Sequence, residues 1–365
     1  MIALTKGTLM STRHLTPEET DAFGRELDAL RAEVSADLGQ RDVDHIRAMI
    51  RFVRYSELAG RALLHFGLGP ISFGLGVASL AASKIFENME VGHNVMHGQY
   101  DWTRDPALDS RTYEWDTVCT GDDWRRSHNY EHHTFTNVLG RDRDVGYALL
   151  RVTEAQRWHV GYVVQPASAL VLASFFQWGI GLHDLHVDEA FTGDQSFAQL
   201  GARARPFLRK AAWQLGKDYA FYPAIALANA PRVAAGNLLA NLTRNLWSFA
   251  IIFCGHFPEG VQVYREEETE GESRGAWYLR QMNGSANIEG GRVFHLFSGH
   301  LSHQIEHHLF PDIPAARYPE MAPRVRAICE RYGQRYTTGS FGRQLGSVAR
   351  QIVANALPTR MAAAA

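Results

Sequence analysis

The sequence predicts an all-α integral membrane protein: a helical bundle in the bilayer with a cytoplasmic helical cap that carries a histidine-rich site for two metal ions. Long apolar regions alternate with polar blocks, and basic residues flank the apolar regions. The polar blocks also crowd many of the 17 histidines of this 365-residue chain into three short stretches.

Composition excludes several classes of protein. A net charge of −2, from 37 basic and 39 acidic residues, gives no strong global field and argues against a general nucleic-acid-binding protein. The three cysteines are scattered and form no CxxC pair. They therefore indicate neither a disulfide framework nor a thiolate metal site.

Residues 1–55 are expected to form a cytoplasmic helical region. Helical periodicity over residues 16–38 begins with Pro17 and two glutamates, as is typical of a first helical turn. No charged segment followed by an apolar run precedes a cleavage site, so a secretory signal is not expected. The basic residues before the first apolar region are Arg47, Arg51 and Arg54.

Three apolar regions follow, at residues 58–86, 160–182 and 219–257. Each is long enough to matter for a bilayer, which about 20 helical residues span. The first is interrupted at Pro70, and the third contains two prolines and can hold two passes. The alternative is a set of buried core helices in a soluble protein.

We expect residues 56–320 to form the membrane domain and 321–365 to form cytoplasmic helices and a tail.

The first two histidine clusters have helical spacing. His93 and His97 are four residues apart, as are His128 and His132, so an α-helix places each pair on one face. His133 would be turned by about 100° from His132 on such a helix.

The third cluster repeats the second, with His303, His307 and His308. A single such pair is more often structural than metal-binding. Eight imidazoles at the polar ends of apolar segments, however, would cost desolvation unless they act as neutral metal ligands. Because a catalytic zinc needs about three protein ligands, two metals are indicated.

Other histidines are weaker candidates for metal ligands. His256 ends an apolar segment and is a ninth candidate, with an interfacial histidine facing water as the alternative. His183 and His186 lie near acidic residues that favour a solvated loop, and His300 is at most a group that supports the ligands. The remaining histidines outside the clusters, including His45, are treated as structural.

Imidazole ligands alone do not select the metal. An apolar substrate at the membrane offers unactivated methylenes, which have no proton that a side-chain base can remove. Only a redox metal with molecular oxygen reaches such a bond, so iron and O2 are expected by exclusion.

The three boxes, HNVMHGQYDW, HNYEHHTFTN and HQIEHHLFPDIP, resemble the membrane fatty acid desaturase family over residues 90–314. The first two are similar to those of actinobacterial acyl-CoA and acyl-lipid desaturases. The resemblance implies a multi-pass protein of the cell membrane whose cytoplasm-facing di-iron centre uses O2 to put a cis double bond into a long-chain acyl-CoA or acyl-lipid.

The resemblance also implies the iron ligands. In the third box, helical spacing favours His303 as the first ligand, whereas alignment with the family favours Gln304, and both remain open. The other implied ligands are His93, His97, His128, His132, His133, His256, His307 and His308.

Boxes on one side of the membrane require an even number of crossings between His133 and His303. Either region 219–257 crosses once after an interfacial approach, or it forms a hairpin and region 160–182 only dips into the bilayer. The basic run that follows His186 favours the hairpin.

Aromatic and basic residues near the boxes are candidates for substrate binding. Trp102, Trp115 and Trp124 could line an acyl tunnel, although interfacial packing is the alternative. Arg125 and Arg126 could hold a CoA phosphate or, alternatively, contact lipid headgroups. The carboxylates expected to orient ligand imidazoles are Asp142 and Asp144.

The electron donor is expected to be a separate ferredoxin, rubredoxin or cytochrome with its reductase. The sequence contains no His-Pro-Gly-Gly haem signature, cysteine cluster or GxGxxG motif. The closest alternative function is a di-iron membrane hydroxylase of the alkane or carotenoid type. A non-catalytic metal transporter and a soluble carboxylate di-iron enzyme are disfavoured, because the apolar segments carry almost no charge and a second Glu-x-x-His motif is missing.

Overall fold

The computed structural model describes residues 13–358. This part of the chain is mainly helical, which confirms the all-α class, and its strands are two short parallel ones, β1 (Asn287–Glu289) and β2 (Thr338–Ser340). The end of the predicted C-terminal tail lies outside the described residues.

The helices, numbered along the chain, are α1 (Pro17–Ala36), α2 (Gln40–Phe66), α3 (Gly69–Met96), α4 (121–135), α5 (Val160–Ser174), α6 (Phe176–Thr192), α7 (197–225), α8 (Leu227–His256), α9 (Arg274–Asn283), α10 (Arg292–Phe297), α11 (Gln304–Leu309), α12 (Tyr318–Arg331) and α13 (Phe341–Ala354). Single 3₁₀ turns lie at Asp101–Thr103, Pro106–Leu108, Val145–Ala148, Glu266–Glu268 and Ala315–Arg317.

Helix α1 begins where the sequence predicts it. The Thr16 side chain accepts a hydrogen bond from the backbone of Glu19, whose carboxylate in turn accepts one from the Thr16 backbone. This reciprocal cap satisfies amides that have no partner inside the helix. The apolar face of α1, including Phe23 and Leu27, packs in one core with Tyr278 of α9 and with α11 and α12.

Helices α2 and α3 form a hairpin, so the first apolar region is two helices and not one. The chain turns at Gly67 and Leu68, and Pro70 lies in the first turn of α3, where a missing backbone N–H costs nothing. The helices pack closely because Gly60 faces α3: a Cβ there would lie 2.9 Å from the backbone nitrogen of Leu80.

A second hairpin is made by α7 and α8, whose short turn lies around Ala226. Between the two hairpins, α5 and α6 are bent by 99° relative to each other at Phe175. Helix α8 fills most of region 219–257, so the hairpin expected within that region pairs α8 instead with residues that lie mostly before it. The number of membrane crossings stays a prediction.

Two helices of the described part, α3 and α8, are long and apolar enough to cross a bilayer, and the bent pair α5–α6 passes the same test if taken as one span. Large apolar side chains are exposed on the two hairpins and on α5, as is typical of surfaces that contact lipid or another protein. Examples of exposed apolar residues are Leu68, Ile71, Leu75, Leu170, Leu227 and Leu238.

Candidate metal centre

The first histidine box directly follows a π-helical turn, and the second box lies on one. Residues Phe86–Gly92 of α3 are π-helical up to His93, and residues Arg125–His132 form most of α4. A π-helix bonds each residue to the fifth along the chain and is often found at functional sites. The widened turn places both His132 and His133 beside His128, with ring centroids 5.1 and 4.9 Å away. His133 was predicted to be turned by about 100° from His132 on an α-helix, and in the structure both rings lie against His128.

The third box begins one residue later than helical spacing suggests. Helix α11 starts at Gln304, and His303 precedes it with a non-helical backbone, φ −100° and ψ 56°. The His303 ring packs on His295, 4.5 Å between centroids, away from the other boxes. The Gln304 side chain instead lies beside His256, with 3.0 Å between the Nε2 atoms. Of the two candidates left open by the sequence, Gln304 is the one whose side chain lies at the cluster.

The imidazoles converge in two adjoining groups. In the first group, His93, His97, His128 and His307 each offer one nitrogen, and these nitrogens lie within 4.8 Å of one another. The same holds in the second group for His132, His256 and His308. His133 lies between the groups, 4.6 Å from the ring of His97 and 4.5 Å from that of His308. A third group, His128, His132 and His133, overlaps both, so the cluster offers more nitrogens than one tetrahedral metal site needs.

Many of these nitrogens are buried and have no hydrogen-bond partner. Buried polar atoms almost always have one, so this many orphans in one place indicates a ligand. The atoms without a partner are Nε2 of His97, His128, His132 and His308, both ring nitrogens of His133 and His307, Nδ1 of His256 and Oε1 of Gln304. A nitrogen-rich donor set of this size fits a pair of transition metals.

Neighbouring side chains fix the orientation of the rings. Asp142 lies 3.0 Å from Nδ1 of His132, and Gln281 Oε1 lies 3.0 Å from Nδ1 of His308. These contacts hold the two Nε2 atoms toward the cluster, as is common for metal ligands. Asp142 was predicted from its place after the second box. Gln281 was not, because it comes from α9 and nothing near it in sequence marks it.

Burial keeps most of the cluster uncharged. It lowers the pKa of His97, His133, His307 and His308 well below the ordinary value, with neighbouring imidazoles adding to the shift. Neutral imidazole is the form that binds a metal. His132 differs: burial alone would lower its pKa, but the Asp142 carboxylate outweighs burial and raises it.

A narrow cavity runs along the cluster. Its metal-facing wall contains His93, His128, His132, His256 and Gln304. Its apolar lining includes Met89, Trp115, Trp124, Phe176, Ile180, Ile252 and Leu301. The combination of unsatisfied imidazoles and an apolar passage can hold a hydrocarbon chain against the metals.

Only some of the residues predicted to bind the substrate line the cavity. Trp124 lines the cavity and stacks on His128, with 4.6 Å between centroids, whereas Trp102 is outside the lining and 41% exposed. Arg125 and Arg126 are also outside it. Arg125 donates to backbone oxygens and to Asp122, and Arg126 donates to Glu131 and to the Asp184 backbone.

Three histidines outside the boxes have partners that the sequence did not indicate. Glu90 of α3 bridges His45 and His300, at 2.7 and 2.9 Å. His183 is buried in α6 and lies 3.2 Å from Asp144, so the solvated loop expected there is wrong. Each contact joins segments far apart in the chain, which spacing along the sequence does not predict.

Comparison with known proteins agrees with this geometry. The profile of the Fatty acid desaturase family matches residues 68–340. The chain is 43% identical to the NADPH-dependent stearoyl-CoA 9-desaturase of Mycobacterium tuberculosis, covering 95% of this chain and 82% of the relative. It is 28% identical to the sn-1 linoleoyl-lipid 6-desaturase of Synechocystis, covering 72% and 74%. The chain belongs to the fatty acid desaturase family.

Proposed function

We propose that this desaturase introduces a cis double bond at the ninth carbon of stearoyl-CoA or a similar long-chain acyl-CoA, with O2 and two irons. The observation that carries the proposal is the pair of histidine groups beside one apolar cavity. The relative at 43% identity is named for this substrate and this position.

In this proposal His93, His97, His128 and His307 would hold one iron, and His132, His256 and His308 would hold the other. His133 lies between the two groups, and Gln304, whose buried Oε1 has no partner, lies beside His256 in the second. His303 is left out because its ring faces His295.

The irons, when bound, supply with O2 the oxidation of an unactivated methylene pair that no side chain can perform. In the overall reaction, –CH2–CH2– and O2, with two electrons and two protons, give –CH=CH– and two H2O. The acyl chain gives up two hydrogens and two electrons. We propose that the other two electrons come from NADPH through a separate reductase, as the name of the relative suggests.

The protein's own part is to place the chain and keep water away. The Trp124 ring, which is 4% exposed, packs against His128 and closes one side of the cavity. Trp115 fixes this wall, because its indole N–H donates to the backbone oxygen of Cys119 at 2.9 Å. An acyl chain in this passage replaces water beside the metals with apolar contacts, which favours binding in proportion to the buried area.

We propose that the hairpins α2–α3 and α7–α8 cross the cell membrane and that α5–α6 only dips into it. All three histidine boxes then lie on one side of the membrane. We assign this side to the cytoplasm because basic residues precede the apolar part of α2. In this arrangement residues 56–320 form the membrane domain, and the described parts of the two flanks, residues 13–55 and 321–358, pack on it as a cap.

The test is to express the gene in a host that lacks this activity and to locate double bonds by mass spectrometry. A cis double bond between carbons 9 and 10 of stearoyl chains supports the proposal. A hydroxylated chain would make the protein a hydroxylase, and an unaltered lipid profile from membrane-inserted, iron-loaded protein would contradict both.

A further inference from the structure

The end of the cavity away from the metals is polar, which is unusual for a passage that holds hydrocarbon. One face of α8 lines the cavity with Arg244, Asn245, Ser248, Ile252 and His256. These positions are three or four residues apart beyond Asn245 and therefore share a face. Arg244 lies 12 residues before His256, about 18 Å along the helix.

Arg244 has an unsatisfied charged group at this end. The residue is 3% exposed; its Nε donates to Asn245 Oδ1 at 2.9 Å, but its Nη2 is buried without a hydrogen-bond partner. Asp218, the nearby carboxylate of α7, is already engaged by Lys84 and Arg61. Gln177, which also lines the cavity, has a buried Oε1 without a partner.

The surrounding structure holds this polar wall in place. Asn245 donates to the backbone oxygen of Ser174 at 2.8 Å and accepts from the backbone nitrogen of Gln177 at 3.4 Å. These are the backbone groups freed by the break between α5 and α6. Arg244 is thus bonded to a residue that is itself fixed on the broken helix.

Space continues beyond the wall. A groove of about 620 Å³ between α6, α7 and α8 shares Gln177 and Asn245 with the cavity. Its lining includes the apolar residues Phe175, Leu238 and Leu242. Gln177 and Asn245 therefore lie between the cavity and a second space.

We propose that Arg244 and Gln177 form a polar wall that sets the longest acyl chain this enzyme desaturates. The proposal rests on the proposed function. Each additional buried methylene improves binding roughly fourfold. A chain that reaches the wall must instead place apolar carbon against Arg244 Nη2 and Gln177 Oε1, which have no partner in the protein, and this desolvation cost outweighs the gain.

The test compares purified enzyme variants on a series of saturated acyl-CoA substrates from C16 to C24. Arg244→Met and Gln177→Leu replace the unpaired polar groups with apolar ones. We expect kcat/KM for chains longer than the wild-type limit to rise at least tenfold relative to C18. Arg244→Lys keeps the charge and should keep the wild-type limit.

Arg232→Met is the matched control, since Arg232 is on the same helix but bonds to the α2–α3 turn. Its chain-length profile should equal that of wild type. An unchanged profile in folded, iron-loaded Arg244→Met and Gln177→Leu overturns the proposal, as does a wild-type preference for ω-hydroxylated chains, which would make the wall a binding site. No double bond in any substrate with wild type would instead contradict the proposed function.

Discussion

At the residue scale, His303 and Gln304 show what spacing along a sequence can and cannot assign. The other ligand candidates were visible because histidine is rare, its boxes are short, and their local helices behave nearly as assumed. The helical spacing that favoured His303 does not apply, because the helix starts after it. The partners Gln281 and Glu90 depend on contacts between distant segments and left no local pattern.

Substitution of Gln304 and of His303, one at a time, tests which of the two supports the metal site. Gln304→Ala should lower the rate of double-bond formation at least tenfold, because it removes a side chain at the second histidine group. His303→Ala should retain most of the activity. The measurement is product formation per folded protein. Loss of activity in His303→Ala with full activity in Gln304→Ala would reverse the assignment.

The buried imidazoles also predict how pH acts on the metal-free protein. Burial lowers the folded-state pKa of His97, His133, His307 and His308, whereas the unfolded value is about 6.5. Below that pH the unfolded chain binds more protons than the folded one, so the free energy of unfolding falls as pH drops and is level above about 7. Melting temperatures of metal-free protein between pH 5.5 and 8 test this; a temperature that does not fall below pH 6.5 contradicts it.

At the scale of elements, the helices were largely predictable and their irregularities were not. Apolar length and the first-turn residues located α1, α3 and α8. The π-helical turns in α3 and α4 and the bend between α5 and α6 arise from packing and from side chains such as Asn245, which satisfies backbone groups at the bend. These irregularities bring His128, His132 and His133 to one place.

The turn before α11 offers a test of this point. Gly299 has φ +60°, and a Cβ there would lie 2.4 Å from the backbone oxygen of Met89 in the π-helical turn of α3. Gly299→Ala should destabilise the fold by about 1–2 kcal/mol from the left-handed backbone alone, and the clash adds to this. We expect lower thermal stability and less bound iron.

Gly291→Ala is the control for Gly299→Ala. Gly291 lies before α10 with φ −89°, and a Cβ there meets nothing within 4 Å. Its effect on melting temperature and iron content should be small. Equal losses in both variants would mean that close packing at Gly299 does not support the site.

At the scale of the whole molecule, apolar segment length predicted a membrane protein but did not fix its crossings. Helix α3 has 28 residues, about 42 Å, and therefore exceeds the hydrocarbon thickness of about 30 Å. Its two ends, Leu68 at the hairpin turn and His93 at the cluster, should then lie on opposite sides of the membrane.

Cysteine labelling tests this arrangement. In a chain whose native cysteines are replaced, Leu68→Cys should react with an impermeant maleimide in intact cells, since Leu68 is 88% exposed at the turn. Glu267→Cys, in an exposed loop after α8, should react only after the cells are opened. Labelling of both residues from the same side would contradict the hairpin topology.

The central claim is that the two histidine groups each hold one iron, and the metal content of the purified protein tests it most directly. Elemental analysis with Mössbauer spectroscopy of ⁵⁷Fe-loaded protein should give two irons per chain, and His307→Ala and His132→Ala should each bind fewer than two. One metal per chain, or iron content unaffected by both substitutions, would contradict the claim.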